Sequence, residues 1–187
     1  SKSSRQQAGL RASFLPLPLK VKIAPKTVAL YEDLGVMNKT EIEARYEIEV
    51  EEYINRIQIE GRVLGDVARN HIIPTAVKYQ NILINNVRGL KDIYGNDFKK
   101  YASEQLILIK DISIYIESIN SGVTKMSNER KKANVIEESI KKADAYCNKV
   151  KPLFDDIRYN CDKLELLIDD ELWPLPKYRE LLLQGKR

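Results

Sequence analysis

The sequence predicts an all-α protein, an up-and-down bundle of about four to five helices with a proline-marked break near Pro74. Three observations lead there. Apolar residues recur at spacings of three, four and seven over long stretches, which is the period of one helix face. Only 8 Gly and 7 Pro punctuate 187 residues, so long helices meet few interruptions. No stretch shows the persuasive period-two alternation of a half-buried strand. Short connections then make neighbouring helices antiparallel, and each bears one stripe that has to be buried against the others.

The elements follow in order. Residues 1–25 read as an extended or disordered lead-in, because Pro16, Pro18 and Pro25 block continuous helix; part of Ser1–Ser13 could be vector-derived. Residues 26–187 read as the helical domain. A short helix is expected over Lys26–Leu34, with Gly35 as its stop. Asn38 can cap the next helix, and Glu41 lies three residues on, where its carboxylate reaches back to the cap amide. Ile42, Tyr46, Val50, Tyr53, Ile57, Leu64 and Ala68 form that helix's stripe. Gly61 and Gly65 interrupt it, each costing about 1 kcal/mol of helix propensity relative to Ala while leaving room for another backbone.

Pro74 is expected to kink this helix or to restart it as the first residue of a new one. Val77, Ile84, Val87 and Leu90 continue an apolar face to Tyr94, where Gly95 stops it. Asn96 is positioned to cap a helix striped by Phe98, Tyr101, Ile109, Ile112, Ile116 and Ile119, and Asn120-Ser121-Gly122 is expected to end it. A fourth helix spans about Val123–Val150, with Met126, Ala133, Ile136, Ile140, Ala143 and Cys147 on one side. Pro152 suits the first turn of a fifth, with Phe154, Ile157, Cys161, Leu164 and Ile168 facing inward.

Composition narrows the partners. There are 31 Lys+Arg against 27 Asp+Glu, and the signs alternate along the chain. A duplex-binding surface needs concentrated positive charge, so nucleic acid is not expected. No apolar run approaches the roughly 20 residues that span a bilayer, so no membrane partner is expected and a cytoplasmic protein fits best. Cys147 and Cys161 are read as reduced thiols that pack as small hydrophobes.

Candidate chemistry is sparse. His71 is the one histidine; a metal site wants several ligands at suitable spacing, which favours a structural histidine at the helix break. Asp169-Asp170-Glu171 could hold a cation, but such triplets at helix ends more often meet solvent or a neighbouring Lys or Arg. No GxxxxGK[ST], GxGxxG or GxSxG occurs. Trp173-Pro174-Leu175-Pro176 is either a proline-rich ligand or a turn whose Trp caps one end of the bundle, and the apolar helix before it and Leu181-Leu182-Leu183 after it favour the turn. No catalytic, cofactor-binding or metal-binding residue is assigned. Gly61, Gly65, His71, Pro74 and Trp173 are the structural or interface candidates. Ile48, Ile54, Ile59, Ile72 and Ile73 fall off the main stripe and suggest a second buried face.

Two long strings carry a family resemblance. One runs from Arg45-Tyr46-Glu47-Ile48-Glu49 through Gly61-Arg62-Val63-Leu64-Gly65-Asp66-Val67-Ala68-Arg69-Asn70-His71-Ile72-Ile73-Pro74 to Asn81. The other includes Tyr146-Cys147-Asn148-Lys149-Val150-Lys151-Pro152, Arg158–Glu165 and Asp170-Glu171-Leu172-Trp173-Pro174-Leu175-Pro176. They resemble the C-terminal end of type III glutamine synthetases. The resemblance implies a full-length enzyme that ligates ammonia to L-glutamate with ATP and Mg or Mn, through a γ-glutamyl phosphate, in a catalytic domain upstream of this segment. It implies no cofactor in this segment, and as partners the upstream catalytic domain and other synthetase subunits. The expected role is non-catalytic support of subunit structure or assembly. The alternatives are an independent helical adaptor and, less well supported by a single histidine, a small metal-dependent enzyme.

Overall fold

The structure, a computed structural model, describes residues 23–177. The expectations for residues 1–22 and for Leu181-Leu182-Leu183 lie outside the described residues. Helix α1 spans Pro25–Asp33, α2 Lys39–Val67, α3 Ile73–Tyr94, α4 Phe98–Asn134, α5 Ser139–Ala145 and α6 Pro152–Leu167. No strand occurs among the described residues.

The all-α class agrees with expectation, but the bundle of four to five helices does not. After the short α1, the described residues form three long helices. A π-helical turn, Ala68–Ile72, joins α2 to α3 without a break. A second, Tyr146–Val150, joins α5 towards α6, and Lys151 keeps helical dihedrals of −56° and −40°. Both prolines expected to mark helix ends therefore sit inside continuous helix. A proline lacks an N–H and its ring crowds the carbonyl four residues back. The wider π turn accommodates both defects. In each case its bond joins residues five apart and closes just before the proline: the Ile73 amide donates to the Ala68 carbonyl, and the Lys151 amide to the Tyr146 carbonyl at 2.9 Å.

The third merger is at Gly122. The stop expected at Asn120-Ser121-Gly122 is absent, and α4 continues to Asn134. A Cβ on Gly122 would stand 3.0 Å from Ile157 Cγ1, so this glycine lets two helices approach closely. The chain turns instead over residues 135–138, with the Ile136 amide bonded to the Ala133 carbonyl at 3.2 Å.

Other local signals behave as their chemistry dictates. Asn38 and Glu41 form a reciprocal capping box: the Glu41 amide donates to Asn38 Oδ1 at 2.9 Å, and the Asn38 amide to Glu41 Oε2 at 2.8 Å. Gly35 and Gly95 take positive φ, +64° and +57°, where a Cβ would be strained. Asn96 lies within a 3-10 turn, Gly95–Asp97, that leads directly into α4.

The chain divides into two compact units. Among the described residues, one holds those up to Val63 together with Lys125–Phe154; the other holds Leu64–Thr124 together with those from Asp155 to Lys177. Ile42, Tyr46, Val50, Ile54, Ile57, Met126, Tyr146, Val150 and Phe154 are buried in the first. In the second, Ala68, Ile72, Ala76, Leu83, Ile112, Ile119, Ile157, Cys161, Leu164 and Ile168 are buried. All five inward residues expected of α6 are buried. On α3 the stripe is displaced: Thr75, Ala76 and Leu83 are buried, whereas Val77 is exposed.

Candidate functional site

The five residues marked in the sequence do not converge. Gly61 is buried in the first unit, where a Cβ would meet Phe154 Cζ at 3.2 Å, Cε1 at 3.3 Å and Met126 Sδ at 3.7 Å. Its small size serves internal packing of α2 on a buried ring. Gly65 is half-buried on α2. His71 is exposed on the first π turn, and Pro74 is exposed at the start of α3.

Trp173 is 8% exposed in the second unit. Asp169 builds the turn that presents it. The Asp169 carbonyl accepts the Leu172 and Trp173 amides, each at 3.1 Å, and its carboxylate accepts the Glu171 amide at 2.9 Å. This is the side-chain-to-backbone bonding that makes Asp a turn residue. Lys177 closes the same turn, donating to the Glu165 carbonyl at 3.1 Å and pairing with Asp170. The acidic triplet is therefore a turn device with a lysine partner.

A polar cluster with no signal in the sequence pattern lies in the first unit. Tyr146, on the second π turn, is fully buried. Its hydroxyl donates to Asn134 Oδ1 at 2.5 Å, and Gln58 Nε2 donates to both, at 2.9 Å to Tyr146 and 2.6 Å to Asn134. In the second unit Gln80 Nε2 similarly donates to the Ile109 carbonyl at 2.9 Å and to Ser113 Oγ at 2.6 Å. Such bonds specify which helix faces meet.

Burial governs the titratable core. It pushes the Cys161 thiol up to about 11, with Asp162 adding to the shift. Burial, then the adjoining Cys147, raises the Tyr53 phenol, and burial raises Tyr46. Cys161 in the unfolded chain titrates near its ordinary value of 9.0. Folding therefore favours the protonated thiol. Its contribution is complete below pH 9 and is lost as pH rises towards 11, where the unfolded state has released the proton first. Urea midpoints are expected to fall between pH 9 and 11, and Cys161→Ala is expected to flatten that fall.

The expected second face on α2 is smaller than the sequence suggested. Ile54 and Ile72 are buried and Ile73 is half-buried, whereas Ile48 and Ile59 are 57% and 62% exposed. Val63, 55% exposed, joins them. Spacings of 11 and 4 residues put the three on one side of the helix.

Among the described residues no group of three or more His, Cys, Asp or Glu stands together to hold a metal ion, and no helix is long and apolar enough to cross a membrane. Cys147 and Cys161 are not joined by a disulfide.

The profile of the family described as "Glutamine synthetase C-terminal domain" matches residues 9–91. A glutamine synthetase of Bacteroides fragilis (strain YCH46) is 46% identical over 148 residues, which is 79% of this chain and 20% of that protein. The chain is thus similar to the C-terminal part of glutamine synthetases, and its residues 9–91 match their C-terminal domain. A glutamine synthetase of Butyrivibrio fibrisolvens is 26% identical over 168 residues, 90% of this chain and 24% of that protein. A protein of Dictyostelium discoideum named type-3 glutamine synthetase is 25% identical over 162 residues, 84% of this chain and 22% of that protein. The chain thus spans about a fifth to a quarter of the length of these curated relatives. The family implies ATP and a divalent metal for the complete enzyme. The side chains described here supply no cluster fitted to the metal, and the sequence has no GxxxxGK[ST] or GxGxxG loop.

Proposed function

We propose that this chain is the non-catalytic, helical C-terminal segment of a type III glutamine synthetase and that it supports the subunit structure of that enzyme. The full-length protein joins ammonia to L-glutamate with ATP and Mg or Mn. The carrying observation is one of coverage: most of this chain aligns with only a fifth of the Bacteroides fragilis glutamine synthetase, and that portion bears neither a metal cluster nor a phosphate loop among its described residues. The type III assignment draws on the Dictyostelium discoideum relative's name. The exposed Ile48, Ile59 and Val63 supply an apolar face of the kind that subunit contacts bury. Partners are then the upstream catalytic domain and neighbouring subunits. Cysteines outside any disulfide suit a cytoplasmic setting.

The test separates the two parts. The isolated 187-residue chain is expected to form no γ-glutamyl hydroxamate from glutamine and hydroxylamine. A full-length synthetase lacking the residues equivalent to Asn38–Arg187 is expected to sediment as smaller species than the intact enzyme. Hydroxamate formation by the isolated chain would refute the non-catalytic part, and unchanged size and activity after deletion would refute the assembly part.

A further inference from the structure

Helix α3, in the second unit, carries an apolar face that the chain leaves open. Ile82, Asn86, Gly89 and Ile93 follow one another at spacings of four, three and four, the seam of a helix that pairs with another helix. Ile82 is 54% exposed and Ile93 75%, and Asn86 is exposed between them. The buried residues of α3, Ala76 and Leu83, project about a quarter-turn away from this seam. Gly89 sets the face apart from ordinary surface. A glycine inside a helix weakens it, and Gly61 and Gly122 have a close neighbour that explains them, Phe154 and Ile157. A Cβ on Gly89 would meet nothing within 4 Å. The packing of the chain itself gains nothing from the missing side chain, and α3 keeps a notch flanked by two exposed isoleucines.

We propose that this face docks on the same face of a second copy of the chain, the two α3 helices running antiparallel about a twofold axis between Val87 and Arg88. A twofold contact requires a surface that complements itself, and in this register the sequence does. Ile82 meets Ile93 of the second copy, and Ile93 meets its Ile82. Asn86 enters the notch at Gly89 of the second copy, and the exchange is mutual. Lys78 stands level with Asp97 of the second copy, so the flanking charges match as well. A parallel pair loses each of these: it sets notch against notch, Asn86 against Asn86 and Lys78 against Lys78. A foreign partner has no need of the symmetry. The seam from Ile82 to Ile93 is only about 17 Å long, short of what a standard interface buries, so isolated chains are expected to associate weakly and copies held together more firmly. The inference goes beyond the assembly role proposed above and does not rest on it, because Ile48, Ile59 and Val63 lie in the first unit.

The test mixes the complete 187-residue chain, carrying the photo-crosslinker p-benzoylphenylalanine at Ile93, with isotopically labelled chain that lacks it. Irradiation and tryptic mapping are expected to join residue 93 to the labelled peptide Tyr79–Arg88. With the crosslinker at Ile82 instead, the labelled peptide is expected to be Asp92–Lys99. Gly89→Glu in the labelled chain is expected to lower the yield at least fivefold while leaving the urea midpoint undiminished, because the position is open. Ile82→Lys, at an exposed position, is expected to do the same to the Ile93 cross-link. Cross-links that map elsewhere, that join residue 93 to the labelled Asp92–Lys99, that stay within one chain or that fail to form would overturn the proposal. So would a yield indifferent to both substitutions.

Discussion

Trp173→Ala is expected to destabilise the protein by about 3–5 kcal/mol, the range for truncating a buried Phe or Trp. Little of the ring meets solvent, and the Asp169 turn fixes the backbone that carries it. The alternative use of the cluster does not predict this cost. A proline-rich ligand would leave the ring outside, where truncation has little effect on stability. The measurement is urea unfolding followed by circular dichroism. A companion variant, Asp169→Ala, removes the carboxylate bond to the Glu171 amide and is expected to cost about 1 kcal/mol, the usual worth of such a bond.

Phe154→Ala carries the second large effect, again about 3–5 kcal/mol, and it is coupled to Gly61. The ring lies against the Gly61 backbone, so a methyl there is crowded at 3.2 Å. Gly61→Ala alone combines a propensity gain of about 1 kcal/mol with this crowding, which works against it. Gly61→Leu overpacks the site and is expected to cost about 1–3 kcal/mol. In the Phe154→Ala background the crowding is gone, and Gly61→Ala is expected to become stabilising. A double-mutant cycle reads this as a coupling above about 0.5 kcal/mol. Additive effects would mean that the ring and the glycine do not touch.

These residues show what was legible in the sequence and what was not. The capping box at Asn38 and Glu41 and the stops at Gly35 and Gly95 were legible because each rests on local backbone chemistry. The α6 stripe was legible because one face of that helix is buried throughout. The helix count was not. Pro74 reads as a kink or a restart and Pro152 as the first turn of a new helix, and only the π turns before them, which leave no compositional mark, keep the helices running. Gly122 has the residue type of a stop, but the partner that explains it, Ile157, is 35 positions away in sequence. The true turn at residues 135–138 has neither Gly nor Pro. Gly61 was recognised as a close-approach position, yet its neighbour is the chain's own Phe154. The cluster of Gln58, Asn134 and Tyr146 joins residues that no periodicity links.

The central claim is that this C-terminal segment contributes contact surface to a larger synthetase without contributing chemistry. Its most direct test is the Ile48→Glu/Ile59→Glu double variant, made both in the isolated chain and in the full-length enzyme. Both side chains are largely exposed, so the isolated chain is expected to keep its helicity and its urea midpoint. In the full-length enzyme, sedimentation velocity is expected to show dissociation to smaller species. A full-length variant that sediments as the intact oligomer, with unchanged specific activity, would contradict the claim.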